Sequence, residues 1–177
     1  MNTICLELSI YEGAQGNREG NSNRNVPCLS LRLFSVFPYG ADGKPVVMNY
    51  NGSMYGFLYN VQGDVVALFD QSGEVTVRYR YGAWGELLRC WGVEAETVGT
   101  VQPFRYRGYL WDWETGDYYC QSRQYRSGWS RFVNADALIK GNMYCYCEND
   151  PVLFSDSSGY IATLANDRIF WCSCIYE

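Results

Sequence analysis

The sequence contains no histidine. That excludes His-based triads, the usual general base near neutral pH and most catalytic zinc sites. Any acid–base chemistry must therefore use carboxylates, Tyr, Lys or Cys. Nothing approaches the roughly 18 consecutive apolar residues of a transmembrane helix, so no membrane span is expected. The start, MNTICLELSIYEG, lacks the basic stretch and long apolar run of a signal peptide, and the isolated product is expected in the cytoplasm. Sustained helical periodicity is also missing; only 134-NADALIKGNMYCYCEND-150 hints at a turn of helix. The net charge of −5 and pI near 4.8 argue against a general affinity for nucleic acid or anionic membrane. Arg78 and Arg80 are local basic spots whose field neighbouring carboxylates are expected to neutralise.

What is present points to strands and turns. A chain of 177 residues suggests one domain with a real core. Sixteen Tyr and eighteen Gly favour pleated surfaces and tight reversals. Residues 1–34 read as an irregular or flexible segment, with GAQGNREGNSNRN polar and without period. From Ser35 short runs alternate with turn signals: 40-GADGKP-45, 49-NYNG-52, 60-NVQGD-64, 70-DQSGE-74, 82-GAWGE-86 and 112-DWETGD-117. Between Val75 and Tyr81 the alternation is clean. Val75, Val77, Tyr79 and Tyr81 share one face, and Thr76, Arg78 and Arg80 share the other. Strands this short with links this tight predict antiparallel hairpins and an all-β fold. An aromatic, three residues and a Gly recur as Tyr39–Gly43, Phe69–Gly73 and Tyr81–Gly85, a degenerate hairpin repeat of a kind that tiles into a larger sheet. Eight Cys include two C-x-C pairs, Cys145/Cys147 and Cys172/Cys174. Their spacing differs from the C-x2-C of zinc fingers, so scattered reduced thiols are expected and no metal or other cofactor.

The run 57-FLYNVQGDVVALFDQSGEVTVRYRYGAWGELL-88 resembles the tyrosine–aspartate hairpin repeats of bacterial Rhs proteins. The run 103-PFRYRGYLWDWETGDYYCQSRQYRSGWSRFVNADAL-138 is similar to the Rhs repeat-associated core domain, and 142-NMYCYCENDPVLFSDSSGY-160 resembles its ending. The resemblance covers about 35–160. It implies hairpin repeats at 35–100 forming part of a spiralling β-shell, a core at 101–160 that plugs one end, and a short variable tail at 161–177 where the family places a toxin. Parent proteins of this kind are bacterial and secreted or surface-bound. The function so implied is a structural shell and plug segment that encapsulates a C-terminal toxin. The expected partner is the rest of a larger β-shell, or a second copy through open strand edges. No nucleic acid or small-molecule ligand is expected.

The family's core also cuts its own chain after a second aspartate motif, using two carboxylates and an Arg. Carried over, these are Asp136, Asp156 and Arg123, with the tail released after about Tyr160. Two close carboxylates could divide the roles of acid and base, and a guanidinium could stabilise developing charge. This chain departs from the family at both motifs: Ala137 and Ser157 stand where Pro is expected, and the first motif lacks its Gly. The convergence of the carboxylates is therefore the structural question. A third reading, a carbohydrate-binding aromatic surface, would use Trp111, Trp113, Tyr118 and Tyr119.

Overall fold

The structure, a computed structural model, describes residues 4–7, 33–40, 43–138 and 141–165. The polar segment GAQGNREGNSNRN, Cys28, Cys172 and Cys174 lie outside the described residues. Two compact units are distinguished, Met1–Tyr55 and Gly56–Glu177. In the first, β1 (Ile4–Glu7) pairs antiparallel with β2 (Leu33–Tyr39), and β2 with β3 (Pro45–Tyr50). β1 is a strand inside the span read as irregular; its partner is β2, a pairing that its own short sequence does not announce.

The second unit carries β4 (Ser53–Tyr59) from Gly56 onward, β5 (Val65–Phe69), β6 (Val75–Tyr81) and β7 (Leu87–Trp91), an antiparallel meander. Its three loops are built alike. Asn60 N–H donates to the Asp64 carbonyl and Gly63 N–H to that of Asn60; Asp70, Glu74 and Gly73 repeat the pattern, as do Gly82, Glu86 and Gly85. Each loop closes through a Gly at positive φ, +90° at Gly63, +85° at Gly73 and +90° at Gly85, where a side chain would be strained. The register slips before each leading aromatic, at Leu58/Tyr59, Leu68/Phe69 and Arg80/Tyr81. The repeat thus has a further copy, Tyr59–Gly63, beside Phe69–Gly73 and Tyr81–Gly85.

After β7 the chain forms a single turn of helix, α1 (Val98–Val101), packed on β6. It then builds a four-stranded antiparallel sheet in the order β11–β10–β9–β8, from β8 (Leu110–Asp112), β9 (Asp117–Cys120), β10 (Arg123–Arg126) and β11 (Arg131–Phe132). The helical hint in 134–150 resolves to one 3-10 turn, Cys147–Asn149. The short pair β12 (Phe154–Ser155) and β13 (Thr163–Leu164) ends the described chain. No helix among the described residues is long and apolar enough to cross a membrane.

The core of this part is aromatic. Tyr106, Tyr109, Tyr118, Tyr125, Phe132 and Tyr146 are buried together with Cys120 and Cys147. Tyr125 stacks on Tyr146 with centroids 4.0 Å apart, and Phe132 meets Tyr146 edge-on at 5.5 Å. Buried phenols need acceptors, and three find them on one hairpin loop. Tyr106 Oη donates to the Ala83 carbonyl at 2.7 Å, Tyr125 to Trp84 at 2.7 Å and Tyr118 to Gly85 at 2.9 Å. Gly85 admits this packing because a Cβ there would stand 2.7 Å from Tyr106 Cδ1.

Candidate functional site

Strand alternation sets up the site. On β10, Arg123 and Tyr125 point inward while Gln124 and Arg126 are half-buried. Tyr125 enters the aromatic core, and Arg123 lies over the Phe132 ring with its guanidinium carbon 3.5 Å from the centroid. Asp136 follows β11 and Asp156 follows β12, so both carboxylates reach the same guanidinium. Arg123 Nη1 is 3.3 Å from Asp136 Oδ2, and Nη2 is 3.2 Å from Asp156 Oδ2. All three are secluded from water, with exposures of 5% for Arg123, 5% for Asp136 and 2% for Asp156. The three residues that the resemblance nominated therefore converge, despite Ala137 and Ser157 in place of the prolines.

Local hydrogen bonds aim the carboxylates instead. Asp136 Oδ1 accepts from Leu138 N–H at 2.9 Å, an Asx turn, and Asp136 N–H donates to the Met143 carbonyl at 2.8 Å. Asp156 Oδ1 accepts from Ser158 Oγ at 3.2 Å and from Tyr160 N–H at 3.1 Å. Arg123 uses its remaining donors on the backbone: Nη1 to the Met143 carbonyl at 3.1 Å and Nε to the Gly159 carbonyl. The Gly159–Tyr160 peptide group is consequently gripped from both sides, its carbonyl by Arg123 and its N–H by Asp156. Gly159 sits at φ +72°, and a Cβ there would collide with Ser122 Oγ and the Cys120 carbonyl. Ser122 Oγ closes this contact by donating to the Ser158 carbonyl at 2.7 Å.

A phenol pair, absent from the sequence reading, backs the site. Asp156 N–H donates to Tyr109 Oη at 3.1 Å, and Tyr109 Oη and Tyr146 Oη are 3.2 Å apart. Burial raises both phenols far above their ordinary range, so they stay protonated. Burial, and then the Asp156 charge, pushes the Cys120 thiol well up; burial takes Cys147 up to about 12. Neither thiol is a nucleophile in this environment. The signal available for this outer layer was Ser158, two residues after Asp156, a spacing that favours side-chain capping of the carboxylate.

Of the other nominated residues, Trp111, Trp113 and Tyr118 are in ring contact and Tyr119 stands apart. Tyr118 is buried with its hydroxyl on Gly85, whereas Tyr119, the next residue, is 48% exposed on the opposite face of β9. Trp111 packs edge-on against Tyr118 at 4.8 Å, and Trp113 carries the Arg105 guanidinium over its ring at 4.4 Å. Trp111 and Trp113 meet edge-on at 6.2 Å. Among the described residues no group of three or more His, Cys, Asp or Glu is placed to hold a metal ion.

No family model matches the chain. It is 34% identical over 136 residues to the tRNA3(Ser)-specific nuclease WapA of Bacillus spizizenii, covering 73% of this chain and 6% of that protein. With the tRNA nuclease WapA of Bacillus subtilis it is 32% identical over 131 residues, covering 70% and 6%. The chain also matches the Photorhabdus luminescens Tc holotoxin pore, in which TccC3 is a component, with a TM-score of 0.64 at 25% identity over 77% of this chain and 7% of that one. These matches support an Rhs-family relationship. The Rhs-like chain spans about 6% of the length of the curated relatives it matches. Its all-β hairpin architecture is that of the structural neighbours.

Proposed function

We propose that this chain is a core segment of an Rhs-type shell, a wall and plug that holds the polypeptide leaving it. The observation that carries this reading is Arg123. One buried guanidinium joins two carboxylates from separate loops and, through Gly159, pins the exit strand to β10. Donors from Arg123, Ser158 and the backbone of Leu138 and Tyr160 meet the two carboxylates and fix their positions. The aromatic residues then act as packing, with their hydroxyls fastening the core to the last hairpin. The test is amide exchange read by mass spectrometry on the full chain. Arg123→Met should speed exchange at Tyr160 and expose 160–165 to protease while the β4–β7 meander stays protected. Unchanged exchange at Tyr160 would refute the clamp.

A second reading, self-cleavage, is favoured by one observation, the two-sided grip on the Gly159–Tyr160 peptide. In that reaction water adds to the Gly159 carbonyl carbon, one of Asp136 and Asp156 takes its proton, and the other returns a proton to the Tyr160 nitrogen. The C–N bond breaks to leave a Gly159 carboxylate and a Tyr160 amine, with Arg123 stabilising the oxyanion. The gripped bond lies one residue before the cut expected after Tyr160. Intact-mass measurement decides it: the 20.3 kDa chain alone excludes cleavage, and products ending at Gly159 that vanish in Asp136→Asn support it.

A further inference from the structure

β6 and β7 have two unlike faces. On one, α1 covers the strands: Gly99 lies against Val77, and Tyr79 Oη donates to the Gly99 carbonyl at 2.9 Å. The other face is basic and, beyond the buried Thr76, exposed among the described residues. Arg78, Arg80 and Arg89 are all exposed there, joined by half-buried Trp91. The register places Arg78 opposite Trp91 and Arg80 directly opposite Arg89. Like charges in that position repel across the ladder. The ion pairs found among the described residues use Arg107, Arg123 and Arg126, and none involves these three arginines. Strand pairing thus brings a third arginine to Arg80. β7 is, besides, the last strand of the meander, and among the described residues it pairs on one side only, with β6.

We infer that the free edge of β7 and the arginine face beside it dock an extended acidic segment of another polypeptide. An added strand would satisfy the unpaired N–H and C=O groups of β7 and set alternate side chains on the arginine face. A Glu or Asp opposite Arg89 would lie beside Arg89, with Arg80 in the same row one strand further across, and would offset their repulsion. Trp91 provides the apolar contact for the next residue on that face. A nucleic acid fits less well. The patch is only two strands wide, about 5 Å between strands, and a polyphosphate extending past it meets a protein of net charge −5. The inference does not rest on the site at Arg123.

The experiment is fluorescence anisotropy of the full chain with three labelled probes: a peptide of alternating Glu and Thr, the same peptide with Lys for Glu, and a short single-stranded oligonucleotide. The Glu peptide should bind, weaken as NaCl rises from about 0.05 M to about 0.3 M, and lose about tenfold in affinity in Arg89→Glu. N-methylation of alternate amides of the peptide should abolish binding, since edge pairing needs those donors. Circular dichroism of Arg89→Glu should match the parent, because the side chain is exposed. Equal binding of the Lys peptide, tighter binding of the oligonucleotide, or an Arg89→Glu protein that binds as the parent does would each overturn the inference. So would a dimer of the chain alone that Arg89→Glu dissociates, which would assign the edge to a second copy.

Discussion

Replacing Arg123 by Met removes the centre of the clamp while keeping its apolar bulk over Phe132. Two buried carboxylates then lose a shared cation, and the Met143 and Gly159 carbonyls lose donors. Breaking one buried ion pair by removing a partner costs about 3–5 kcal/mol, and each orphaned buried carbonyl about 1 kcal/mol more. Relaxation of the exit strand recovers part of this, because residues around Tyr160 and Ile161 are exposed. The expected net loss is about 4 kcal/mol, or about 8–16 °C in melting temperature for a chain of this size. Urea unfolding followed by tryptophan fluorescence measures it. Arg123→Lys should lose about half as much, since one ammonium keeps the charge but cannot reach two carboxylates and two carbonyls at once. The decisive variant is the double Arg123→Met with Asp156→Asn. Neutralising an unpaired buried acid should restore about 1 kcal/mol or more relative to additivity. If Arg123→Met unfolds within about 1 kcal/mol of the parent, or if the double variant is additive, the carboxylates are not held by this cation and the reasoning fails.

Further expectations concern the surrounding layers. Tyr125→Phe should cost about 1–2 kcal/mol by leaving the Trp84 carbonyl without its donor, and Tyr119→Phe, on the exposed face, should be neutral by the same unfolding assay. Gly159→Ala should destabilise by at least about 2 kcal/mol, because it combines a positive φ with a collision at Cys120 and Ser122; a neutral result would mean the exit strand is not seated there. Alkaline pH should weaken the fold. Folded-state values raised above the unfolded ones, to about 12 for both Tyr106 and Cys147, give stability that is complete below the unfolded values and lost as pH rises toward the folded ones. Urea midpoints should therefore fall progressively above about pH 9, and the share of phenolate absorbance that belongs to the buried tyrosines should appear together with unfolding.

The hairpins were legible because turn chemistry is local. A Gly four residues after an aromatic reports a positive φ, and three of the loops could be marked without knowing what they packed against. Tyr59–Gly63 has the same spacing and escaped notice only as a member of the set. The site was not local in this sense. Arg123, Asp136 and Asp156 stand 13 and 20 residues apart, one on a strand and two in separate connections, so no period or propensity joins them, and resemblance alone nominated them. The missing prolines suggested poorly aimed carboxylates, yet an Asx turn at Asp136 and a serine cap at Asp156 supply the orientation. The tyrosines of 104–125 looked alike in sequence, because alternation separates Tyr118 from Tyr119 but cannot say that Tyr118, Tyr106 and Tyr125 end on successive carbonyls. Arg80 and Arg89 were likewise opaque, since their opposition depends on a register slip at Tyr81.

The three phenols on Ala83, Trp84 and Gly85 also have a mechanical meaning. A force that pulls the last hairpin away from the core loads all three bonds side by side, so none can yield before the others share the strain. A chain displaced by one residue would miss all three acceptors together rather than trade one for the next. The loop therefore acts as a keyed coupling between the last hairpin and the aromatic core: lengthening it by a single residue should uncouple them, whereas the 70–73 loop, whose Gly73 has open space around it, should accept the same insertion.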